Sequence, residues 1–233
     1  MFICIALIAL GALMLVFYLI EKCKNYSLKG VLLKSVVSLL FLATALVAAG
    51  LNPDHYLNVF IIGGLILGLL GDIWLDLKYV YPQDDKKYTY AGFIVFGVGH
   101  ILYVAGMLIE FFNWTDWVYI LIPLLGGLAF TALNLILEKP LKLQFKDLKL
   151  IVTIYAFLLA LTPLTGLMLC IYTSFQVPSL IMLFIGGISF AVSDLVLSNT
   201  YFGEGHERPI DFILNYITYY GAQFLIAFSI FFL

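Results

Sequence analysis

Charged residues are scarce in this sequence, and their scarcity decides the class of protein. Only 11% of the 233 residues are charged, 64% are hydrophobic, and the mean hydropathy is +1.08. Average soluble domains are about 25% charged and about 45–50% apolar. A soluble globular or disordered protein is therefore excluded, and we predict an integral membrane protein. Twelve basic and fourteen acidic residues form no basic surface, so we expect no nucleic-acid partner.

Cysteines and the common catalytic motifs are also scarce. The three cysteines, Cys4, Cys23 and Cys170, lie far apart and form no CxxC pair. This pattern disfavours a disulfide framework and a zinc site. The sequence contains no GxSxG, HExxH or P-loop motif, which argues against a serine hydrolase, a zincin and an ATP-driven pump.

Long apolar stretches, in contrast, fill the chain. A helix crosses the hydrocarbon layer with about 20 apolar residues. Eight such stretches lie at roughly 2–20, 29–50, 56–77, 90–111, 117–137, 148–170, 179–200 and 211–232. They leave no room for a soluble domain, so we predict an all-α bundle of eight transmembrane helices forming one domain over residues 1–233. The first stretch ends in Glu21 and Lys22 rather than in small residues, and we expect it to be a retained helix.

The basic residues lie on one side of this arrangement. Lys34 is about one turn into the second stretch, and the others occupy the loops after stretches one, three, five and seven. These are Lys22, Lys24, Lys29, Lys78, Lys86, Lys87, Lys139, Lys142, Lys146, Lys149 and Arg208. The positive-inside rule places these loops in the cytoplasm and both termini outside. The compact size and the lack of a targeting extension favour a bacterial cell membrane.

Stretches three and seven resemble each other. Gly63-Gly64 precedes Asp72, and Gly186-Gly187 precedes Asp194, at nearly the same spacing, and three apolar residues follow each Asp. A duplication would make the protein a parallel repeat of four plus four helices. Chance similarity in so apolar a composition is the alternative, and both readings stay open.

Asp72 and Asp194 are the two carboxylates expected well inside the membrane. An Asp at a helix centre is unfavourable by about 2.5–3.5 kcal/mol and usually marks function. Asp76, one turn below Asp72, is interpreted as interfacial. A structural role, with hydrogen bonds to a neighbouring helix or to Lys34, is the alternative. We favour function, because two carboxylates in different environments can act as general acid and general base.

Two further groups of polar residues lie near the same depth. His100 and Tyr103 share a face of the fourth stretch through their spacing of three. Tyr219, Tyr220 and Gln223 form a polar stripe on the eighth, where an interfacial aromatic belt is the competing interpretation.

Lys34 is open to two interpretations. From its position alone we favour a lysine that snorkels to the interface. The alternatives are that it points inward, towards Asp72 or Asp194, or that it contacts a phosphate. Together these polar residues predict a pocket that opens towards the cytoplasm or the inner leaflet.

Four short strings, in order, resemble the YhhN family of eight-helix membrane proteins. They are Gly71–Leu75, Phe96–Tyr103, Ser193–Leu197 and Tyr219–Gln223. Lys34 also stands where that family tends to have an early lysine, although Ser35 replaces the proline that commonly follows it. The resemblance covers nearly the whole chain.

The resemblance implies a lysoplasmalogenase, which hydrolyses the vinyl ether bond of a lysoplasmalogen to a fatty aldehyde and a glycerophospho-ethanolamine or -choline. Asp72 and Asp194 would then be the acid and base, in either order. Lys34 would hold the phosphate. The orienting residues would be His100, Tyr103, Tyr219, Tyr220 and Gln223. No metal or organic cofactor is required, and the partners would be a lysophospholipid substrate and membrane lipids.

Two other functions compete with this hydrolase. A transporter of a small molecule or lipid would use the possible repeat and the mid-membrane polar groups. It would also need polar residues along the whole path, whereas the outer loops carry only Asp54, Glu110 and Asp116 as charged residues. A non-catalytic lipid-binding protein predicts that replacing Asp72 and Asp194 changes no activity.

Overall fold

The computed structural model describes residues 1–24, 26–203 and 208–233, and this part of the chain is helical with no strand. Each of its eight main helices, α5 together with the 3₁₀ segment before it, is long and apolar enough to cross a membrane, which confirms the predicted all-α architecture with eight such helices. The helices are α1 Phe2–Lys22, α2 Leu28–Leu51, α3 Tyr56–Val80, α4 Asp85–Phe111, α5 Leu121–Leu137, α6 Lys149–Tyr172, α7 Pro178–Phe202 and α8 Pro209–Ser229. Short 3₁₀ segments, Pro82–Asp84, Trp114–Ile120, Lys146–Leu148 and Ile230–Phe232, precede α4, α5 and α6 and follow α8.

Helix starts follow from local sequence. The Ser27 hydroxyl accepts a hydrogen bond from the Gly30 amide at 3.2 Å and caps α2. Pro178 and Pro209 begin α7 and α8, where a proline removes no intrahelical bond. Helix α4 begins at Asp85, before its apolar run, because a helix can continue into polar sequence beyond the hydrocarbon layer.

Small residues let the helices approach closely. A Cβ at Gly64 on α3 would overlap the ring of Tyr103 on α4, and one at Gly187 on α7 would meet the backbone of Pro163 on α6. Such contacts are typical of packing inside a membrane, where helices associate through close fit.

Helix neighbours repeat when the numbering is shifted by four. Helix α3 packs on α4 as α7 packs on α8, and α2 on α3 as α6 on α7. The longer-range neighbours α2–α8 and α4–α6 are also related by this shift. The arrangement has the form that a four-plus-four duplication would produce, and the duplication stays a prediction.

Polar contacts tie together both ends of the bundle. At one end, which we call the lysine-rich end, α1 and α3 finish and α2 begins, and Lys22 of α1 pairs with Asp76 of α3 at 2.9 Å. At the other end, His55 Nδ1 and Glu110 Oε1 are 2.6 Å apart, joining α3 to α4. Asn52 there donates to the Ile230 and Phe231 carbonyls. Assignment of the lysine-rich end to the cytoplasm stays a prediction.

Candidate active site

Asp72 lies inside the bundle, eight residues before the end of α3, which is about 12 Å along a helix with a 1.5 Å rise. Its side chain is almost fully buried. The Lys34 ammonium lies 3.3 Å from Oδ1, while Oδ2 accepts hydrogen bonds from Ser38 at 2.5 Å and Tyr219 at 2.9 Å. A carboxylate at this position therefore has a cation and two hydroxyl donors.

Asp76 is the second carboxylate on this face of α3. Its Oδ1 lies 2.9 Å from the Lys22 ammonium and 3.4 Å from that of Lys34, and Tyr18 donates to Oδ2 at 2.9 Å. Only 3% of Asp76 is exposed, so its side chain faces the interior of the bundle; its interpretation as interfacial concerns depth in the membrane and stays a prediction. A position near a helix end does not reveal which face is buried.

Lys34 does not snorkel to the surface, and the favoured interpretation of this residue is wrong. It is 3% exposed and points between Asp72 and Asp76, which lie one turn apart on α3. Buried charges are tolerated when they are paired. Lys22, Lys34, Asp72 and Asp76 form an electrically balanced set, which we call the charge cluster.

Asp194 is the corresponding carboxylate of α7, eight residues before Phe202 and so also about 12 Å from the helix end. It is half-buried. Its partners are hydroxyl groups: Tyr155 donates to Oδ2, and Ser193 lies 3.3 Å from Oδ1. Within the described residues, no lysine or arginine forms an ion pair with Asp194.

One cavity, with about 500 Å³ of empty space, brings the two carboxylates together. We call it the catalytic cavity. Asp72 and Asp194 both line it, as do the predicted residues Lys34 and Tyr219. Aromatic rings, including those of Phe93, Phe96 and Phe190, form much of the remaining wall. The cavity thus combines two carboxyl groups at matched depth with a wall in which aromatic and aliphatic side chains predominate.

Gln223, Tyr103 and Tyr220 lie behind this wall. Gln223 Nε2 donates to the Tyr219 hydroxyl at 2.9 Å, and its Oε1 accepts from Tyr103 at 3.4 Å. Because the Tyr219 oxygen accepts this hydrogen bond from Gln223, its own hydroxyl hydrogen is oriented to donate to Asp72. The Tyr220 hydroxyl lies 3.3 Å from both Ser38 Oγ and the Lys34 carbonyl, and so supports the α2 side of the cluster.

His100 supports the Asp194 side instead. Its Nδ1 lies 2.9 Å from Thr162 Oγ1, and its ring centroid is 5.9 Å from that of Tyr155. Nε2 is buried and has no hydrogen-bond partner among the described residues. His100 thus contacts the tyrosine that donates to Asp194 and is not itself part of the cavity wall.

Sequence reasoning missed Ser38, Tyr155 and the α1 pair Tyr18 and Lys22. Helical spacing could have pointed to Ser38, Tyr18 and Lys22. Ser38 follows Lys34 by one turn, and Lys22 follows Tyr18 by one turn, so each pair shares a helix face. Tyr155 stands six residues into α6, as Lys34 stands six residues into α2, a correspondence that depends on the observed helix starts.

The described residues offer no ready metal site. No three side chains of His, Cys, Asp or Glu cluster among them, and the lysines of the charge cluster already occupy the oxygens of Asp72 and Asp76. The chemical groups present are carboxyls, hydroxyls and ammonium groups, which suit proton transfer.

Comparison with known proteins places this arrangement in a family. No curated protein and no solved structure matches the chain. The model of the YhhN family matches residues 30–230, from the first turn of α2 to the end of α8, and this segment contains Lys34, Asp72, Tyr155 and Asp194. Because the match covers most of the 233 residues, the chain belongs to the YhhN family.

Proposed function

We propose that the protein is a lysoplasmalogenase-like hydrolase that cleaves the vinyl ether bond of a single-chain ether lipid. The observation that carries the proposal is the pair of carboxyl groups, Asp72 and Asp194, on one largely apolar cavity inside a membrane bundle. One of the two has a buried cation beside it and the other has only hydroxyl donors. Membership of the YhhN family supports the same assignment.

We assign the acid and the base from the local charges. A negative charge on Asp72 is compensated by Lys34 and by hydrogen bonds from Ser38 and Tyr219. A neutral carboxylic acid at Asp194 leaves no unpaired charge in its apolar surroundings. Asp194 is therefore the proton donor, and Asp72 is the carboxylate that faces the developing cation and activates water.

The proposed reaction conserves protons at every step. Asp194 transfers its proton to the vinyl carbon remote from the ether oxygen, which produces an oxocarbenium ion. Water attacks this cation while Asp72 takes one of its protons, and a hemiacetal forms. Asp72 then returns that proton to the leaving glycerol oxygen as Asp194 takes the hemiacetal hydroxyl proton. The products are a fatty aldehyde and the glycerophospho head group, and both carboxyl groups regain their starting states.

Lys34 has a different role here from the phosphate contact that the family resemblance implied. Its ammonium already faces two carboxylates at 3.3 and 3.4 Å, so it is engaged within the charge cluster. We assign it to holding Asp72 ionised and oriented.

The rival transporter function would require polar side chains along the whole path, and one face of α3 between Asp72 and the far end of the helix is apolar. Leu57, Ile61 and Leu65 follow one another at intervals of one turn along α3 and are completely buried. Along α3 they stand between Asp72 and the end of the helix away from the lysines. This apolar plug is consistent with a cavity that serves chemistry.

The test is hydrolysis by the purified protein in detergent. We expect aldehyde release from a lysoplasmalogen, followed with an alcohol dehydrogenase couple, and none from a diacyl phospholipid. Asp72→Asn and Asp194→Asn should each lower kcat by about 10²–10⁴-fold, the usual contribution of a positioned acid or base. Asp116→Asn is the matched control, because Asp116 bonds Tyr172 at the opposite end of the bundle. Absence of aldehyde from folded protein, or activity that survives both substitutions, would refute the proposal.

A further inference from the structure

A second cavity, with about 520 Å³ of empty space, adjoins the catalytic cavity. The two share the wall residues Phe93, Tyr155, Asp194, Leu197 and Tyr201. Asp194, the proposed proton donor, therefore stands where the cavities meet.

This second cavity lies between α5 and α7, over the surface of α6. Phe130 of α5 and Leu195 of α7 form two of its sides, and Val152, Ala156 and Leu159 of α6 form its floor. Val152 and Leu159 lie three and ten residues into α6, which is about 4.5 and 15 Å from its start. Along α6 the cavity thus extends over about 10 Å, roughly one third of a hydrocarbon layer about 30 Å thick.

The cavity also reaches the surface of the bundle that faces lipid. Leu195, on its wall, is 48% exposed. Helix α5 packs on α6 and on the short 3₁₀ segment before it, at the edge of the bundle. An opening between α5 and α7 therefore meets the hydrocarbon of the membrane.

The side chains that line the second cavity favour an apolar ligand. Among the described residues of this wall, the polar side-chain groups besides Asp194 are those of Asn134 and Ser198 and the hydroxyls of Tyr155 and Tyr201. Asn134 Nδ2 already donates to the Phe130 carbonyl of its own helix at 2.9 Å. Such a wall favours a hydrocarbon chain over a polar group.

We propose that this cavity is the binding site for the aliphatic chain of the lipid substrate, and we call it the chain pocket. The chain enters laterally from one leaflet between α5 and α7, and its first carbons reach Asp194. The head group then occupies the catalytic cavity. This inference rests on the proposed function for its account of catalysis, but binding of the chain can be tested without it.

Narrowing the pocket should shorten the chain that the enzyme accepts. Ala156→Leu and Ser198→Phe place bulk in the chain pocket, away from the catalytic cavity. For each, the ratio of kcat/KM for a long-chain to that for a short-chain lysoplasmalogen should fall about tenfold, a typical penalty for bulk in an apolar pocket. The matched control is Ala132→Phe on the exposed face of α5, which should leave the ratio unchanged. An unchanged ratio in both pocket variants, with activity retained, would overturn the inference.

A photocrosslinking experiment separates this inference from the proposed function. A lysophospholipid with a diazirine at the end of its chain is illuminated with the purified protein, and the labelled peptides are identified by mass spectrometry. We expect labels on α5 and α6 at the chain pocket, weakened in Ala156→Leu and retained in Ala132→Phe. Labels there without any hydrolysis would refute the proposed function alone. Labels spread over the outer helix faces and unaffected by Ala156→Leu would refute the chain pocket.

Discussion

Asp72 and Asp194 occupy matching positions in the two halves of the bundle, yet their surroundings differ. Six residues into α2 stands Lys34, which pairs with Asp72, and six residues into α6 stands Tyr155, which donates to Asp194. One position thus supplies a charge in the first half and a neutral hydroxyl in the second. The comparison teaches that two carboxyl groups at equal depth can be given opposite protonation roles by a single neighbouring residue.

The charge cluster explains why the first half can hold so much charge. It places two ammonium groups against two carboxylates and adds hydroxyl donors from α1, α2 and α8. Asp194 has none of this support and is also the more exposed of the two. We therefore expect the charge cluster of the first half to contribute mainly to the stability of the folded protein. We expect Asp194 in the second half to contribute mainly to reactivity.

The largest effect is expected from Lys34→Met, which leaves two buried carboxylates with one lysine. Breaking a buried ion pair by removing one partner destabilises a protein by about 3–5 kcal/mol. The measurement is thermal unfolding in detergent. Lys29→Met is the control, because the Lys29–Glu21 pair is exposed on its lysine side, and a loss of at most about 1 kcal/mol is expected.

A double variant sharpens this first prediction. Lys34→Met combined with Asp72→Asn restores the charge balance of the cluster and should recover part of the lost stability. Equal stability of Lys34→Met and the unaltered protein would show that the charges are not coupled as described.

A smaller effect is expected from Tyr155→Phe, which removes the main hydroxyl donor to Asp194. A single hydrogen bond contributes about 0.5–1.5 kcal/mol, so kcat should fall about two- to tenfold. Tyr172→Phe, which removes a hydroxyl bonded to Asp116 at the far end, is the matched control. A loss as large as that of Asp194→Asn would indicate that Tyr155 itself takes part in proton transfer.

The smallest effect on stability is expected from Asp194→Asn. The amide still accepts the Tyr155 hydrogen bond and no ion pair is broken, so unfolding should change by less than about 1 kcal/mol. The same substitution at Asp72 leaves Lys34 with a single carboxylate partner and should destabilise the protein far more. Equal melting temperatures for Asp194→Asn and Asp72→Asn would contradict the expected difference between the two halves of the bundle.

The helices could be predicted from sequence because a membrane-spanning helix is recognised from the length of its own apolar stretch, without knowledge of its neighbours. Asp72 and Asp194 could be selected because carboxylates are rare in such segments. Lys34 was misjudged because depth along a helix does not determine the face on which a side chain lies. Tyr155 was missed for another reason: it is one of fifteen tyrosines, and only its contact with Asp194 distinguishes it.

The apolar plug formed by Leu57, Ile61 and Leu65 has a consequence for the fate of the products. Under the proposed function, a lipid cleaved in the catalytic cavity meets this row of fully buried apolar side chains and, beyond it, the His55–Glu110 contact that joins α3 to α4. We therefore expect the aldehyde to return to the leaflet that supplied its parent and the water-soluble fragment to leave from the same face. Such a hydrolase would deplete one leaflet of single-chain lipid without carrying lipid across the membrane.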